Sequence, residues 1–150
     1  MPRKSETLHS IDELRSKRQD TFLALVAAND HLNRHTLAFM KGYGLSPPQY
    51  NVLRILRGAG AEGKPSQSIA ADMISKVPDV SRLVGRLVVA GLADRHSDPD
   101  DRRVVRVVIT PAGLALLESM DEPIAELHTS VLQRLPVGEL TTLLGLLEKI

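Results

Sequence analysis

The stretch VSRLVGRLVVAGLADRHSDPDDRRVVRVVITPAG, residues 80–113, changes its hydrophobic period near its middle. Its first part carries apolar side chains at the spacing of one helix face, namely Val80, Leu83, Val84 and Leu87. Its second part holds two runs of β-type character, LADRHS and RVVRVVIT, around the charged segment DPDD. The sequence therefore predicts a helix over about 78–91 that ends at Gly91, followed by a β-hairpin. In the second strand we expect one alternate set of side chains to face the core, namely Val105, Val107 and Ile109.

Helical patterns flank this stretch on both sides. Before it, apolar spacing predicts helices over about 11–41, 47–58 and 66–74, the last with Ile69, Ala70 and Met73 inside. After it, one helix follows Thr110 with an interruption at Pro123, and a last helix starts at Pro136. Serine or threonine side chains at helix starts accept backbone N–H groups. Four starts carry this signal: Ser10 with Glu13 three residues on, Ser46 before Pro47, Ser66, and Thr110 before Pro111.

Composition excludes several kinds of protein. The 150 residues are 43% hydrophobic and 25% charged, which is ordinary for a globular chain. Aromatic residues make up only 3%, which argues against a stacking platform for single-stranded nucleic acid. The absence of cysteine excludes disulfides, thiolate metal sites and thiol redox sensing. The first residues lack the apolar run of a signal peptide, and the longest apolar runs are far shorter than a membrane span, so we expect a cytoplasmic protein.

The outermost helices carry more apolar surface than the central unit can cover. A helix as long as residues 11–41 exceeds the usual globular length, and such helices often pack against a partner chain. Packing of the N- and C-terminal helices across a two-fold axis would bury this surface. We therefore expect a homodimer.

The helices over 66–74 and 78–91 are joined by a short turn, which is typical of a helix-turn-helix. In that motif the second helix enters the major groove of duplex DNA. Its outward side carries Arg82 and Arg86 beside Asp79 and Ser81, and Lys76 precedes it. Arginine reads guanine edges, and serine and lysine reach bases or phosphates. Two outward arginines alone would more often be a solvated helix face, so the prediction depends on the surrounding motif.

The hairpin tip places Arg102 and Arg103 directly after an acidic run. Between residues 76 and 106 there are seven basic and five acidic side chains, so the local excess of positive charge is only two. Net charge therefore does not decide between a solvated turn and a nucleic-acid contact. An arginine at a hairpin tip can enter the narrow, electronegative minor groove, and a neighbouring aspartate can fix its direction.

The same residues resemble the central motif of the MarR family of winged helix-turn-helix transcriptional regulators. That motif is an S/T-R-L-x-x-R-L run, then G-L, a strand, D-x-x-D-x-R, a second strand and L-T-x-x-G. The matching positions are Ser81-Arg82-Leu83, Arg86-Leu87, Gly91-Leu92, Asp98, Asp101, Arg103, Ile109-Thr110 and Gly113. Ile109 replaces the more usual leucine, and Gly85 stands where an acidic residue is frequent.

This resemblance implies a mainly α fold with a small β-hairpin wing and a dimer that binds double-stranded DNA. It implies an N-terminal dimerisation helix in residues 1–45, a winged helix-turn-helix in 46–110 and C-terminal dimerisation helices in 111–150. Arg103 would be the minor-groove residue, Asp101 its orienting partner, and Arg102 a phosphate contact. The complete set of expected DNA-binding residues is Ser66, Gln67, Ser68, Lys76, Pro78, Asp79, Ser81, Arg82, Arg86, Arg95, Asp101, Arg102 and Arg103.

The resemblance further implies a repressor of a pseudo-palindromic operator that a small phenolic or lipophilic effector releases. The effector site is not readable from the sequence, because Phe39, Tyr43 and Tyr50 suit packing better than a pocket. His31 and His35 are four residues apart on one helix, but no third ligand has a companion spacing. We therefore expect neither a metal nor a cofactor.

Two other classes of function remain to be weighed. An enzyme is not indicated, since GAGAEGK lacks both the preceding strand and the residue order of a phosphate-binding loop. The alternative to a regulator is a winged-helix module that binds protein and not DNA. Arg82, Arg86 and Arg103 speak against that alternative, because an interaction domain does not need this set.

Overall fold

The computed structural model describes the backbone of residues 4–150 and the side chains of residues 10–150. The helices are α1 (Lys4–Gly42), α2 (Pro47–Ala59), α3 (Ser66–Asp72), α4 (Val80–Val89), α5 (Pro111–Leu132) and α6 (Val137–Leu147). The strands are β1 (Lys64–Pro65), β2 (Ala93–Ser97) and β3 (Val105–Ile109), and a single 3₁₀ turn spans Gly60–Glu62. The chain divides into two compact units, Met1–Thr36 and Leu37–Ile150. No helix within residues 4–150 is long and apolar enough to cross a bilayer.

Two of the predicted helix starts are confirmed by their hydrogen bonds. The Ser46 hydroxyl accepts from the Gln49 N–H at 3.4 Å, and the Gln49 amide oxygen accepts from the Ser46 N–H at 2.8 Å. This is a complete capping box at the start of α2. Thr110 caps α5, because its hydroxyl accepts from the Gly113 N–H at 3.1 Å.

Other details of the predicted helices are wrong. Ser10 lies inside α1, which begins at Lys4, because residues 4–9 contain neither glycine nor proline and continue the helix. Ser66 is the first residue of α3 and makes no capping bond, since Pro65 occupies the N-cap position. Ala70 is exposed, because only Ile69 of that short helix points fully into the core. By contrast, α5 is a single helix that contains Pro123 and runs to Leu132, as expected for one helix after Thr110.

The sheet has three strands in the order β1-β3-β2, all antiparallel. The hairpin of β2 and β3 was predicted, whereas β1 lies in a segment that we expected to be a loop. Two residues are too few to show a period in the sequence, so β1 forms because β3 offers a free edge: Lys64 pairs with Val107 and Pro65 with Arg106. Val107 is fully buried and Ile109 partly so, but Val105 is 43% exposed because it lies towards the outer end of the hairpin.

The core of the second unit lies between α2, α4, the sheet and α5. Its fully buried side chains are aliphatic or methionine, in keeping with the low aromatic content: Met40, Val52, Leu53, Leu56, Ile69, Val84, Leu87, Val107, Leu117 and Met120. Phe39 and Tyr43 pack against this core with ring centroids 5.1 Å apart, and Tyr50 belongs to it. These three aromatic side chains therefore take part in the packing of the core.

An ion pair joins α2 to α5 at the surface. The guanidinium of Arg57 donates three hydrogen bonds of 2.8–3.1 Å to the carboxylate of Asp121. These bonds lower the pKa of Asp121, because the neighbouring positive charge favours the ionised carboxyl. The pair therefore links a helix of the predicted DNA-binding region directly to a helix of the predicted dimerisation region.

The wing consists of β2, β3 and the loop 98–104, and one aspartate organises it. Asp98 Oδ1 accepts from the backbone N–H groups of Asp100 and Asp101 at 2.9 and 3.1 Å. Its Oδ2 accepts from Arg106 Nη1 at 2.8 Å. Arg106 also donates to the carbonyl oxygens of Glu62 and Gly63, at 2.8 and 3.3 Å. The wing loop is thus fixed to the segment that follows α2.

The start of α5 is held close to the sheet by glycine. A Cβ atom at Gly113 would lie 2.3 Å from the Leu92 carbonyl oxygen and 2.7 Å from a side-chain carbon of Ile109. The Thr110 hydroxyl also donates to the Gly91 carbonyl at 2.7 Å, which fixes the same corner. Only glycine allows the backbone of α5 to lie this close to Leu92 and Ile109, which explains the glycine three residues after Thr110 in the sequence motif.

Gly113→Ala should lower the free energy of unfolding by about 1–3 kcal/mol, because the backbone of the β2–α5 corner must move. Gly58→Ala in α2 is the matched control, since nothing lies within 4 Å of a Cβ there. It should raise the free energy of unfolding by about 0.5–1 kcal/mol. Urea unfolding followed by circular dichroism measures both. Equal effects of the two substitutions would contradict the close approach.

Asp98 should make the stability of the wing depend on pH. Hydrogen bonds from Arg106 and from the Asp100 and Asp101 backbones lower the pKa of the Asp98 carboxyl. A depressed folded-state pKa means that the stabilisation is present above the ordinary range of an aspartate and is lost as pH falls through the lowered value. At pH 7, Asp98→Asn should therefore lower the Tm, and the difference from the parent should shrink below about pH 4.

Asp94→Asn is the control for this titration, because Asp94 is an exposed carboxylate on β2 with no hydrogen bond among the described side chains. At pH 7 its Tm should equal that of the parent. A difference between the Asp98 variant and the parent that stays constant from pH 7 to pH 2 would refute the role of the ionised carboxyl.

Candidate nucleic-acid interface

The helices α3 and α4 and the turn between them form a helix-turn-helix, which contacts β1 and α2 at the α3 end of the turn. The end of α3 is held by an ion pair between Asp72 and Lys64 of β1. The turn is held by Asn51 of α2, whose Oδ1 accepts from the Ile74 N–H at 2.9 Å. The end of α3 and the start of the turn are therefore held by two other elements.

The recognition helix α4 has one buried face and one exposed face. Val84 and Leu87 are fully buried, which directs the opposite side of the helix outward. Ser81, Arg82 and Arg86 lie on that outward side and are exposed. Neither the Arg82 guanidinium nor the Arg86 guanidinium forms an ion pair within residues 10–150, so their N–H donors face solvent.

The wing closes one side of this face and creates a groove. The wing groove has a volume of about 270 Å³ and is lined by Ser66, Gln67, Ser81, Arg95, Arg103, Val104 and Val105. Arg95 donates from Nη2 to the Ser81 carbonyl oxygen at 3.1 Å, which ties β2 to the first turn of α4. The lining contains two guanidinium groups and no carboxylate. An arrangement of this kind favours an anionic ligand.

The predicted DNA-binding residues are all at least partly accessible, but they do not all meet in the groove. Five of them line it, from α3, α4 and the wing: Ser66, Gln67, Ser81, Arg95 and Arg103. The other eight lie outside its lining: Ser68, Lys76, Pro78, Asp79, Arg82, Arg86, Asp101 and Arg102. The roles of all thirteen residues on DNA stay predictions.

Two aspartates of the predicted set act on the backbone. Asp79 is the N-cap of α4, and its Oδ1 accepts from the Arg82 N–H at 2.9 Å. Helix α4 therefore begins at Val80, later than expected, and Pro78 precedes the cap. Asp101 Oδ1 accepts from the Arg103 N–H at 3.0 Å, so it fixes the backbone from which the Arg103 side chain extends.

Sequence reasoning missed the residues that hold the wing in place. Arg106 was not among the predicted site residues, and Asp98 was named only as a motif position. The available signal was an aspartate at the start of a turn, because such a side chain commonly accepts from the backbone two residues on. The two carbonyl partners of Arg106, on Glu62 and Gly63, lie more than 40 residues away in sequence, so no local pattern reveals them.

The histidine pair of α1 offers no complete metal site. The His31 and His35 rings are in edge contact, with centroids 4.6 Å apart. No group of three potential metal ligands occurs among the residues whose side chains the structure describes.

Comparison with known proteins agrees with this geometry. Residues 43–104 match the family model described as MarR family. The HTH-type transcriptional repressor IacR of Pseudomonas putida is 31% identical over 91% of this chain and 80% of its own length. A MarR transcription factor from Planctomyces limnophilus is 36% identical, with a TM-score of 0.70 over 88% of this chain and 96% of that one.

A further solved structure is BpsR of Bordetella bronchiseptica, in a study of how 6-hydroxynicotinic acid regulates its DNA binding. It is 26% identical, with a TM-score of 0.75 over 84% of this chain and 89% of that one. The helix-turn-helix, the wing and these similarities lead to one assignment: the chain belongs to the MarR family of winged helix-turn-helix, DNA-binding transcriptional regulators.

Proposed function

We propose that this chain is a homodimeric repressor that acts in the cytoplasm and binds a pseudo-palindromic operator in double-stranded DNA. The observation that carries the proposal is the wing groove, where Arg95 and Arg103 of the wing meet Ser81 of the recognition helix with no carboxylate in the lining. Helix α4 would enter the major groove, and Arg103 would reach the adjacent minor groove. We propose no catalytic role.

A second copy of the chain would cover the apolar side chains that the outer helices leave in water. On α1, exposed residues include Ile11, Leu14, Phe22, Leu23, Val26 and Leu32, and on α6 they include Leu143, Leu144, Leu146 and Leu147. Phe22 is 66% exposed and Leu144 is 59% exposed. Burial of this surface would favour association by about 25 cal/mol for each Å² of apolar area removed from water. The proposed division is then dimerisation by 1–45 and 111–150, and DNA binding by 46–110.

A small effector would release the operator by changing the spacing of the two DNA-binding lobes. The similar protein BpsR supports this proposal, because its DNA binding is regulated by 6-hydroxynicotinic acid, a small aromatic acid. Such a ligand shifts the equilibrium only if it binds the released arrangement more tightly than the DNA-bound one. A phenolic or lipophilic panel added to a preformed protein–operator complex would identify it.

The competing function is a winged-helix module that binds protein only. Duplex from the gene's own upstream region separates the two functions in a fluorescence anisotropy titration. A regulator binds it more tightly than random duplex, with an affinity that falls steeply as salt rises. A module without DNA binding shows no preference at any salt concentration.

Arg103→Ala should weaken binding to the preferred duplex by about 1–3 kcal/mol, because one guanidinium contact with DNA is lost. Its fold should be unchanged, since only the Arg103 backbone N–H takes part in the wing's hydrogen bonds. Arg134→Ala removes the same charge from an exposed position between α5 and α6 and is the control. Equal affinities of the Arg103 and Arg134 variants would show that the wing assignment is wrong.

Leu144→Glu should convert the dimer into a folded monomer, because the new charge would be buried in the proposed interface of α6. Val89→Glu is the control: Val89 is 90% exposed at the end of α4, outside the proposed interface. Sedimentation equilibrium measures the mass, and circular dichroism checks the helix content. A Leu144 variant that stays dimeric at micromolar concentration, or a parent chain that is monomeric, would contradict the proposed interface.

A further inference from the structure

Gly85 lies in the middle of α4, where a glycine is costly. Glycine in a helix interior is less stable than alanine, because it gives up more conformational freedom on folding. Nothing in the packing requires it: a Cβ atom at this position would meet only one atom within 4 Å, Nη2 of Arg95 at 3.8 Å. The helix therefore has room for a side chain here, and any side chain would contact the Arg95 guanidinium.

Arg95 uses only part of its hydrogen-bonding capacity. Its Nη2 donates to the Ser81 carbonyl at 3.1 Å, and no carboxylate within residues 10–150 forms an ion pair with it. A guanidinium has five N–H donors in a planar fork. The bond to Ser81 thus fixes the direction of the group, while the remaining donors stay available beside the recognition helix.

The side chains around Arg95 suit an oxyanion that carries one negative charge and belongs to a polymer backbone. The wing groove adds the Arg103 guanidinium, the Ser66 and Ser81 hydroxyls and the Gln67 amide to the Arg95 donors. Paired guanidinium groups and hydroxyls are the donors that bind phosphate oxygens. The groove lies between the recognition helix and the wing, where the DNA backbone would pass between a major and a minor groove.

We propose that Gly85 keeps Arg95 free of an internal carboxylate partner, so that Arg95 binds a backbone phosphate of DNA in the wing groove. This inference rests on the proposed DNA-binding function and assigns one contact within it. An acidic side chain at position 85 would reach the Arg95 guanidinium and form an internal ion pair with it. Glycine at position 85 makes α4 less stable, but it leaves Arg95 able to make one phosphate contact per protomer in the operator complex.

The test compares Gly85→Asp with Gly85→Ala in the full-length protein. Both variants add a Cβ atom, and Gly85→Ala should raise the Tm and keep the affinity of the parent. Gly85→Asp should retain the fold but bind duplex DNA about tenfold more weakly at low salt. The slope of log Kobs against log salt should fall by about 1 for each protomer bound. A phosphate contact carries no sequence information, so the loss should be equal on preferred and random duplex.

A double-mutant cycle separates capture of Arg95 from simple repulsion by the new carboxylate. Arg95→Ala should reduce the salt slope as Gly85→Asp does, and the double variant should bind little worse than either single variant. Additive losses would overturn the proposal, because the aspartate would then act on DNA without Arg95. Equal affinities of the Asp and Ala variants at position 85 would also overturn it while leaving the proposed function intact. A parent protein that binds no duplex at any salt would overturn both.

Discussion

The geometry of the wing depends on the hydrogen bonds that the Arg106 guanidinium donates. It donates to the Asp98 carboxylate at 2.8 Å and to the Glu62 carbonyl at 2.8 Å, and so joins the wing loop to the segment after α2. Asp98 in turn accepts from two backbone N–H groups of the loop. Strand β3 carries Arg106 and pairs with both β1 and β2, so the wing loop is anchored to a three-stranded sheet. The loop thereby holds Arg103 beside α4. An exposed arginine contributes more to binding when its backbone is already fixed, since less conformational freedom is lost.

In the unit Leu37–Ile150, some charged side chains form internal ion pairs, and others remain available for binding. Arg57 and Arg106 are used inside the molecule, in ion pairs with Asp121 and Asp98. The guanidinium groups of Arg82, Arg86 and Arg103 form no ion pair among residues 10–150 and lie on or beside the recognition helix. A protein with almost no net charge can therefore present a basic surface to DNA, because some acidic residues near that surface accept hydrogen bonds from the backbone. Asp79 and Asp101 illustrate this point, since each accepts from a backbone N–H and so helps to hold an arginine-bearing segment in place.

The sequence predicted helices whose apolar residues recur at regular spacing and helix starts that a capping residue marks. The spacing of Val84 and Leu87 located the recognition helix, and Ser46 and Thr110 located two helix starts. It did not predict β1, since two residues have no period and Lys64 joins the sheet only because β3 is there to pair with it. It also placed the start of α1 too late, because a capping pattern at Ser10 does not stop a helix that already runs through it. Contacts between distant segments, such as Arg106 with Glu62, were beyond any local pattern.

The central claim is that two copies of this helix-turn-helix and wing bind one duplex symmetrically. A hydroxyl-radical footprint on the gene's own upstream region measures this most directly, because it reports which backbone positions each lobe covers. The account predicts two related protected segments whose centres lie about 10 base pairs apart, each flanked by a protected minor groove where the wing would lie. A single protected segment without two-fold symmetry, or protection that does not extend into the flanking minor grooves, would contradict it.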